Sequence, residues 1–316
     1  MQKIETIRTI GVAGSGTMGA SIALIFARRG YRVHLYNRSG KGLERAFKLI
    51  ELNQEELVRS GKTTKAQAEE TAGRISRGTD LPGLADADFL IETIVEDPAV
   101  KKTFLAELSA LADENTVIAT NTSGLSITEL GEAVRNPRRF AGMHWINPPH
   151  LVPLIEVISG ADTASETADI ICALAEKIGK KPVRVKKDVP GFMINRLQFA
   201  MLREALYIVE NGIADPEDVD NAIKFGLGLR YAALGPFETA DLGGLDTFCK
   251  IGDYLFADLS DKNSVPELMA RLCSEGAYGV KSGRGFYDYS GDKAAEAVRR
   301  RDEIFLKLLN CLYPDR

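Results

Sequence analysis

Cysteine is scarce in this chain: four occur in 316 residues, at Cys172, Cys249, Cys273 and Cys311, and no two form a C-x-x-C pair. That usage suggests neither a disulfide framework nor a metal site, and fits reduced thiols in a cytoplasmic protein. Runs of basic residues are absent, and 40 Lys and Arg against 44 Asp and Glu leave a net charge of −4. Nucleic acid and anionic membrane are therefore poor partners. No apolar run reaches the length of a membrane span, and residues 1–8 lack the apolar stretch of a secretory signal. What is present is ordinary for a globular protein: 45 % hydrophobic and 27 % charged residues. The length suits two domains of roughly 150 residues each.

The first half alternates β-rich runs with helical patterns, which predicts a Rossmann-type α/β domain with a parallel sheet. Strands are expected at Thr9–Ala13, Arg32–Tyr36, Phe89–Ile94, Thr116–Thr120, Ala141–Trp145, Ile155–Ile158 and Val183–Lys186. A helix from Thr17 to Arg29 is closed by Gly30. Between the second and third expected strands lies a polar helical stretch, Leu43 to Ser76, broken near Ser60-Gly61. It is too long for a simple crossover and predicts an inserted helical hairpin. The pattern changes at Asp188-Val189-Pro190-Gly191. Beyond it, Met193, Leu197, Ala200, Met201, Leu206 and Val209 recur at helical spacing up to Gly212. Residues 1–187 are thus expected to form the dinucleotide-binding domain and 188–316 an all-α domain.

Ile10-Gly11-Val12-Ala13-Gly14-Ser15-Gly16-Thr17-Met18-Gly19 runs an apolar strand into G-x-G-x-x-G and then a helix. Gly14 would make the tight turn, Gly16 would admit a pyrophosphate, and Gly19 would let helix and sheet pack closely. The helix N-terminus at Thr17 and Met18 would face the phosphates with its N–H groups. An NAD site usually carries an acidic residue at the end of the second strand, whereas this chain has Asn37-Arg38. Without that carboxylate a 2′-phosphate is not repelled, and an arginine can pair with one, which tips the reading from NAD toward NADP.

Of the three histidines, His34 lies inside a strand and reads as structural, while His144 stands in Gly142-Met143-His144-Trp145-Ile146-Asn147-Pro148, with Glu156 on the next strand. A neighbouring carboxylate can fix a histidine's tautomer and stabilise its imidazolium, as a base for a hydroxyl proton requires. Further motifs occur in order. They are Ile94-Val95-Glu96 with Lys101, Asn121-Thr122-Ser123, Asp188-x-Pro190-Gly191-Phe192-x-x-Asn195-Arg196, Gly235-Pro236-x-Glu238-x-x-Asp241, and Lys281-Ser282-Gly283-x-Gly285-Phe286-Tyr287. With these, the chain resembles the 3-hydroxyacyl-CoA dehydrogenase family over essentially its whole length. The resemblance implies His144 as general base oriented by Glu156. It implies Ser123 and Asn195 as holders of the substrate oxygen, and Glu96 and Lys101 along the nicotinamide ribose. Taken singly, Ser123 reads equally as a helix cap, Asn195 as a helix start, and Glu96/Lys101 as a surface pair.

Other features depart from the acyl-CoA members, which hold CoA on the hairpin through a serine and a lysine. Those places correspond here to Glu55 and Lys62, with Glu51 and Glu56 alongside, and carboxylates suit CoA phosphates poorly. Asn147-Pro148-Pro149-His150-Leu151-Val152-Pro153-Leu154 and Leu229-Arg230-Tyr231-Ala232 resemble the non-CoA branch. That branch includes gulonate 3-dehydrogenase with λ-crystallin, carnitine dehydrogenase, and a pyridine-carboxylate dehydrogenase of vitamin B6 breakdown. Glu238 to Asp246 keeps the acyl-CoA pattern, so the chain is a mosaic. Arg230 precedes a Gly-Pro turn in an apolar stretch and either meets a substrate carboxylate or pairs with Glu238 or Asp241. Three functions follow. The first is a dehydrogenase of a small hydroxy acid, the second a 3-hydroxybutyryl-CoA-type dehydrogenase, and the third a nucleotide-binding structural protein without turnover. By the resemblance, and because the later helices are rich in apolar residues, the protein is expected to be a homodimer.

Overall fold

Ile10, Val12 and Ala13 are fully buried in a strand that pairs with buried Val33 and Leu35 on one side and with buried Phe89, Leu90 and Ile91 on the other, the mark of a sheet covered on both faces. In a computed structural model describing residues 4–59 and 61–313, this strand is β1, Thr9–Ala13. The others are β2 (Arg32–Tyr36), β3 (Ile75–Gly78), β4 (Phe89–Glu92), β5 (Val117–Thr120), β6 (Phe140–Trp145), β7 (Leu154–Ile158) and β8 (Lys181–Val185). They form one sheet in the order β3-β2-β1-β4-β5-β6-β7-β8. Six strands are parallel, as expected of a Rossmann-type fold. Then β7 pairs antiparallel with β6, and β8 runs with β7. This reversal aligns His144 directly with Glu156.

Two expectations need correction. Ile75–Gly78 is a strand and not the end of a helical stretch. Only Ile75 of its four residues is buried, so the sequence carries almost no apolar signal, and pairing with the edge of β2 decides its conformation. His34 Nδ1 lies 2.9 Å from Ser76 Oγ, which places this histidine in the strand pairing. The fourth strand ends at Glu92 and not Ile94, because Thr93 N–H bonds to Ala13 O and Ile94 N–H to Glu92 Oε1.

The glycine loop leads into α1 (Thr17–Arg28). The hairpin after β2 comprises α2 (Gly40–Arg59) and α3 (Lys65–Gly73), the latter opened by a Thr64/Gln67 capping box. Gly61 is a turn with φ +71°, whereas Ser60 lies outside the described residues. The rest of the sheet is covered by α4 (Pro98–Leu111), α5 (Ile127–Gly131) and α6 (Ser165–Lys177).

The chain divides into two compact units, one running to Arg196 and taking in residues from Leu308 onward, the other Leu197–Lys307. This division falls inside α7 (Ile194–Glu210), eight residues or so beyond the pattern change at Asp188. The second unit holds the remainder of α7. It also contains α8 (Pro216–Ala222), a π-turn at Ile223–Leu227, α9 (Gly228–Ala233), α10 (Pro236–Gly243), α11 (Leu245–Leu255), α12 (Glu267–Ser274) and most of α13 (Lys293–Leu312). Polar ties hold it: Glu204 accepts Ser260 N–H, Glu210 accepts Leu268 N–H, and Tyr287 donates to Asp220. Among its described residues only Leu206, Ser260, Pro266 and Ala277 are buried, while Phe237 is 86 % and Phe256 79 % exposed.

Two glycines of the loop should respond unequally to alanine. At Gly19 a Cβ would sit 1.9 Å from Gly14 O and 2.7 Å from Thr93 Oγ1, whereas at Gly16 it would meet nothing within 4 Å. Helix propensity favours Gly19→Ala by about 1 kcal/mol, but the forced shift costs about 1–3 kcal/mol or more and wins. Thermal denaturation should show a clear drop in Tm for Gly19→Ala and almost none for Gly16→Ala. An unchanged Tm in Gly19→Ala would contradict the packing argument.

Candidate active site

Strand reversal builds the central pair. Facing residues of an antiparallel pair bring their Cβ atoms within about 5 Å, short enough for two side chains to bond directly. His144 Nδ1 lies 2.8 Å from Glu156 Oε2, with both side chains buried. The other carboxylate oxygen accepts backbone N–H groups of Met193 and Ile194 at 2.9 and 2.8 Å. Burial alone would raise the Glu156 pKa. The hydrogen bond from His144, the two N–H donors and the charge interaction outweigh it and hold the carboxyl below its usual range. An ionised Glu156 can only accept, so Nδ1 of His144 carries the proton and Nε2 is left as the basic nitrogen. Phe192 stacks its ring edge-on to the imidazole at 5.7 Å. Its φ of +50°, following Gly191 at +75°, is a left-handed conformation costly for a bulky residue. Its contact with His144 and near-complete burial compensate.

Ser123 is held at both ends of its peptide unit. Its N–H donates to Glu96 Oε1 at 2.8 Å, and its carbonyl accepts from Asn195 Nδ2 at 2.8 Å. Neighbouring residues 194 and 195 thus bond Glu156 and Ser123 respectively, so the pair and the serine meet at the first turn of α7. Lys101 is not a surface residue: it is fully buried, 2.7 Å from Glu92 Oε1 and 3.3 Å from Glu96 Oε2. Sequence reasoning missed Glu92, which closes an otherwise apolar strand and also accepts Thr120 Oγ1 at 2.6 Å. A carboxylate ending such a strand, with a lysine on the following helix, was the available signal. Asn121, noted only as part of a motif, accepts Trp145 N–H at 2.8 Å and fastens this loop to β6.

The glycine loop fits a dinucleotide. Gly14, at φ +112°, lies so close to Thr93 O that a Cβ would meet it at 2.6 Å. Gly16 is open, and no side chain caps α1, so the N–H groups around Thr17, Met18 and Gly19 remain for an anion. Asn37 donates to Ser15 Oγ at 2.7 Å and accepts Ser39 N–H at 2.8 Å, placing the end of β2 against the loop. Arg38 beside it is exposed. Arg230 belongs to the second unit, is exposed, and forms no ion pair with Glu238 or Asp241 among the described residues. Glu238 instead accepts Gly235 N–H at 2.6 Å.

A glycine loop on a doubly wound sheet, with a buried histidine–carboxylate pair at the sheet's far side, defines an NAD-dependent dehydrogenase. Sequence comparison narrows this class. Residues 9–189 match the 3-hydroxyacyl-CoA dehydrogenase NAD binding domain, and residues 191–289 match the C-terminal domain. The chain belongs to the 3-hydroxyacyl-CoA dehydrogenase family. It is 38 % identical over 305 residues to 5-formyl-3-hydroxy-2-methylpyridine 4-carboxylate 5-dehydrogenase of Mesorhizobium japonicum, covering 95 % of this chain and 97 % of that one. It is also 38 % identical over 284 residues to a probable 3-hydroxybutyryl-CoA dehydrogenase of Bacillus subtilis, covering 90 % and 98 %. Among solved structures, a 5-formyl-3-hydroxy-2-methylpyridine 4-carboxylic acid 5-dehydrogenase, described as an NAD+-dependent dismutase, superposes with a TM-score of 0.90 at 35 % identity, covering 97 % and 99 %. The (S)-3-hydroxybutyryl-CoA dehydrogenase of Ralstonia eutropha gives 0.77 at 34 %, covering 90 % and 100 %.

Glu156→Gln is a revealing change. An amide that keeps its oxygen on Met193 and Ile194 must turn its NH2 toward His144 Nδ1, which forces the proton onto Nε2 and removes the base. Turnover should fall about 10²–10⁴-fold, as in His144→Ala, with dinucleotide affinity nearly unchanged. Steady-state kinetics with fluorescence titration of the dinucleotide checks this. Normal turnover in both variants would remove His144 from the chemistry. Because Glu156 is depressed in the folded protein, its contribution to stability is complete above about pH 4.5 and is lost as pH falls through its native value. The acid limb of a Tm-against-pH curve should therefore flatten in Glu156→Gln.

Proposed function

We propose that the protein transfers a hydride at the hydroxyl-bearing carbon of a small free hydroxy carboxylic acid, with His144 Nε2 as general base. The observation that carries this is the buried His144–Glu156 pair, whose tautomer leaves Nε2 as the acceptor. A nicotinamide dinucleotide held by Gly14, Gly16, Thr17, Met18, Gly19, Asn37 and Arg38, with Glu96 toward its ribose, supplies the hydride acceptor or donor. Ser123 Oγ and the remaining amide hydrogen of Asn195 hold the substrate oxygen, Nε2 removes its proton, and Glu156 steadies the resulting imidazolium.

A free acid is favoured over a thioester by Glu51, Glu55 and Glu56, all exposed on α2 where acyl-CoA members present a serine. Similarity to a pyridine-carboxylate dehydrogenase supports the same reading, and Arg230 is the proposed carboxylate partner. Arg230→Met should raise KM for the acid about ten- to a hundredfold, since a charge-assisted hydrogen bond contributes roughly 1.5–3 kcal/mol. Its Tm should stay constant, because the arginine has no ion pair with Glu238 or Asp241 to lose. A spectrophotometric screen at the nicotinamide band, with hydroxy acids, formyl acids and acetoacetyl-CoA, tests the substrate class. Turnover of acetoacetyl-CoA that survives Arg230→Met would establish the acyl-CoA reading instead.

With no carboxylate at position 37, the adenosine end should accept NADP as well as NAD. In Asn37→Asp, Ser15 Oγ can donate to the new carboxylate, so the loop stays in place while a 2′-phosphate is repelled. Selectivity for NAD should rise at least about tenfold, roughly 1.4 kcal/mol. A wild type that already rejects NADP would contradict this.

The second unit exposes Phe225, Leu229, Phe237, Leu242 and Phe256, and a second copy of the chain, meeting it through this unit, would cover them. Light scattering should give a dimer at micromolar concentration, and a monomer would contradict this. Cytoplasmic residence accords with four free cysteines.

A further inference from the structure

The mechanism above gives no part to Lys101, which the resemblance sets along the nicotinamide ribose and the structure buries completely. Lys101 lies in the first turn of α4. Its ammonium bridges two carboxylates: Glu92 Oε1 at 2.7 Å and Glu96 Oε2 at 3.3 Å, with Ile94 O at 3.4 Å. Each carboxylate uses its other oxygen on the segment 120–123. Glu92 Oε2 accepts Thr120 Oγ1 at 2.6 Å. Glu96 Oε1 accepts Ser123 N–H at 2.8 Å and the Thr122 hydroxyl. Thr122 Oγ1 in turn accepts Leu125 N–H at 3.0 Å, which closes the turn after the serine.

We infer that Lys101, with Glu92, is a positioning residue that fixes Ser123 through Glu96. The physical case rests on degrees of freedom. Glu96 is the exposed member of the triad, with 44 % of its side chain in solvent. Left alone, it would sample rotamers in water and hold the serine backbone only part of the time. Lys101 is immobilised between buried partners, so pairing with it removes that freedom, and the second Glu96 oxygen is presented to Ser123 in one geometry. Glu92 is what holds the Lys101 side chain in place inside the sheet, through the 2.7 Å contact between their charged ends. A surface salt bridge of the same composition would have no such effect.

The inference rests on Ser123 as the holder of the substrate oxygen, and the test separates the two ideas. Removing Lys101 alone strands two carboxylates and is expected to lower Tm, so the informative variant is Lys101→Met with Glu92→Gln. Deleting both partners of a buried pair is far better tolerated than deleting one. In the double variant Tm should return to near that of the wild type, while kcat stays about ten- to a hundredfold down with dinucleotide Kd changed less than threefold. The same two substitutions are then placed on Ser123→Ala. A relay acting through the serine predicts no further loss of kcat there. Losses that multiply, or a double variant with normal kcat, would overturn the inference. If Tm does not recover, Lys101→Met alone, assayed well below its own Tm, replaces the double variant in the same cycle and must show the same non-additivity. Near-normal kcat in Ser123→Ala by itself would instead overturn the reading of the site.

Discussion

A single carboxylate joins the parts of this site. Glu156 faces His144 across the one antiparallel seam of the sheet, and its other oxygen takes the first free N–H groups of α7. Fully buried, it remains ionised because each of its oxygens is hydrogen-bonded. The direction of α7's first turn, the tautomer of the base and the position of Asn195 therefore depend on one charge. The left-handed pair Gly191-Phe192 is what brings two successive N–H groups to the same oxygen.

Charge in the rest of the sheet end follows the same logic. A carboxylate at the end of β4 and a lysine at zero exposure would each destabilise an apolar interior alone. Together with Glu96 they leave every charge partnered, and the excess negative charge lies at the exposed member. The glycine loop on the neighbouring strand achieves the complementary effect without side chains. Its backbone is packed against Thr93 on one side and open at Gly16 on the other, so N–H groups face whatever anion binds there.

The two units differ in how they are held. The first has two extensive clusters of buried aliphatic and aromatic residues, and it supplies the rigid framework that hydrogen bonds of 2.6–2.9 Å around Glu92 and Glu156 require. In the second, carboxylates of α7 cap loops and helix ends, and the large apolar side chains lie on its surface.

The sequence alone determined the covalently local parts. G-x-G-x-x-G between strand and helix, the strand positions of β1 and β2, the α1 boundaries and the change of pattern near Asp188 depend on residues a few positions apart, where periodicity and glycine geometry act directly. His144, Glu156, Ser123 and Asn195 were legible through ordered motifs and the family they resemble, though periodicity could not say that the first two touch. Tertiary structure decided the rest. Ile75–Gly78 became a strand because an unpaired β2 edge lay beside it, not because of its own composition. Lys101, expected along the nicotinamide ribose or else in a surface pair with Glu96, is the buried centre of a triad, since burial is a property of the folded sheet and α4 together. The reversal of β7, which creates the His144–Glu156 bond, is a choice of strand direction, and hydrophobic alternation reads the same in either direction.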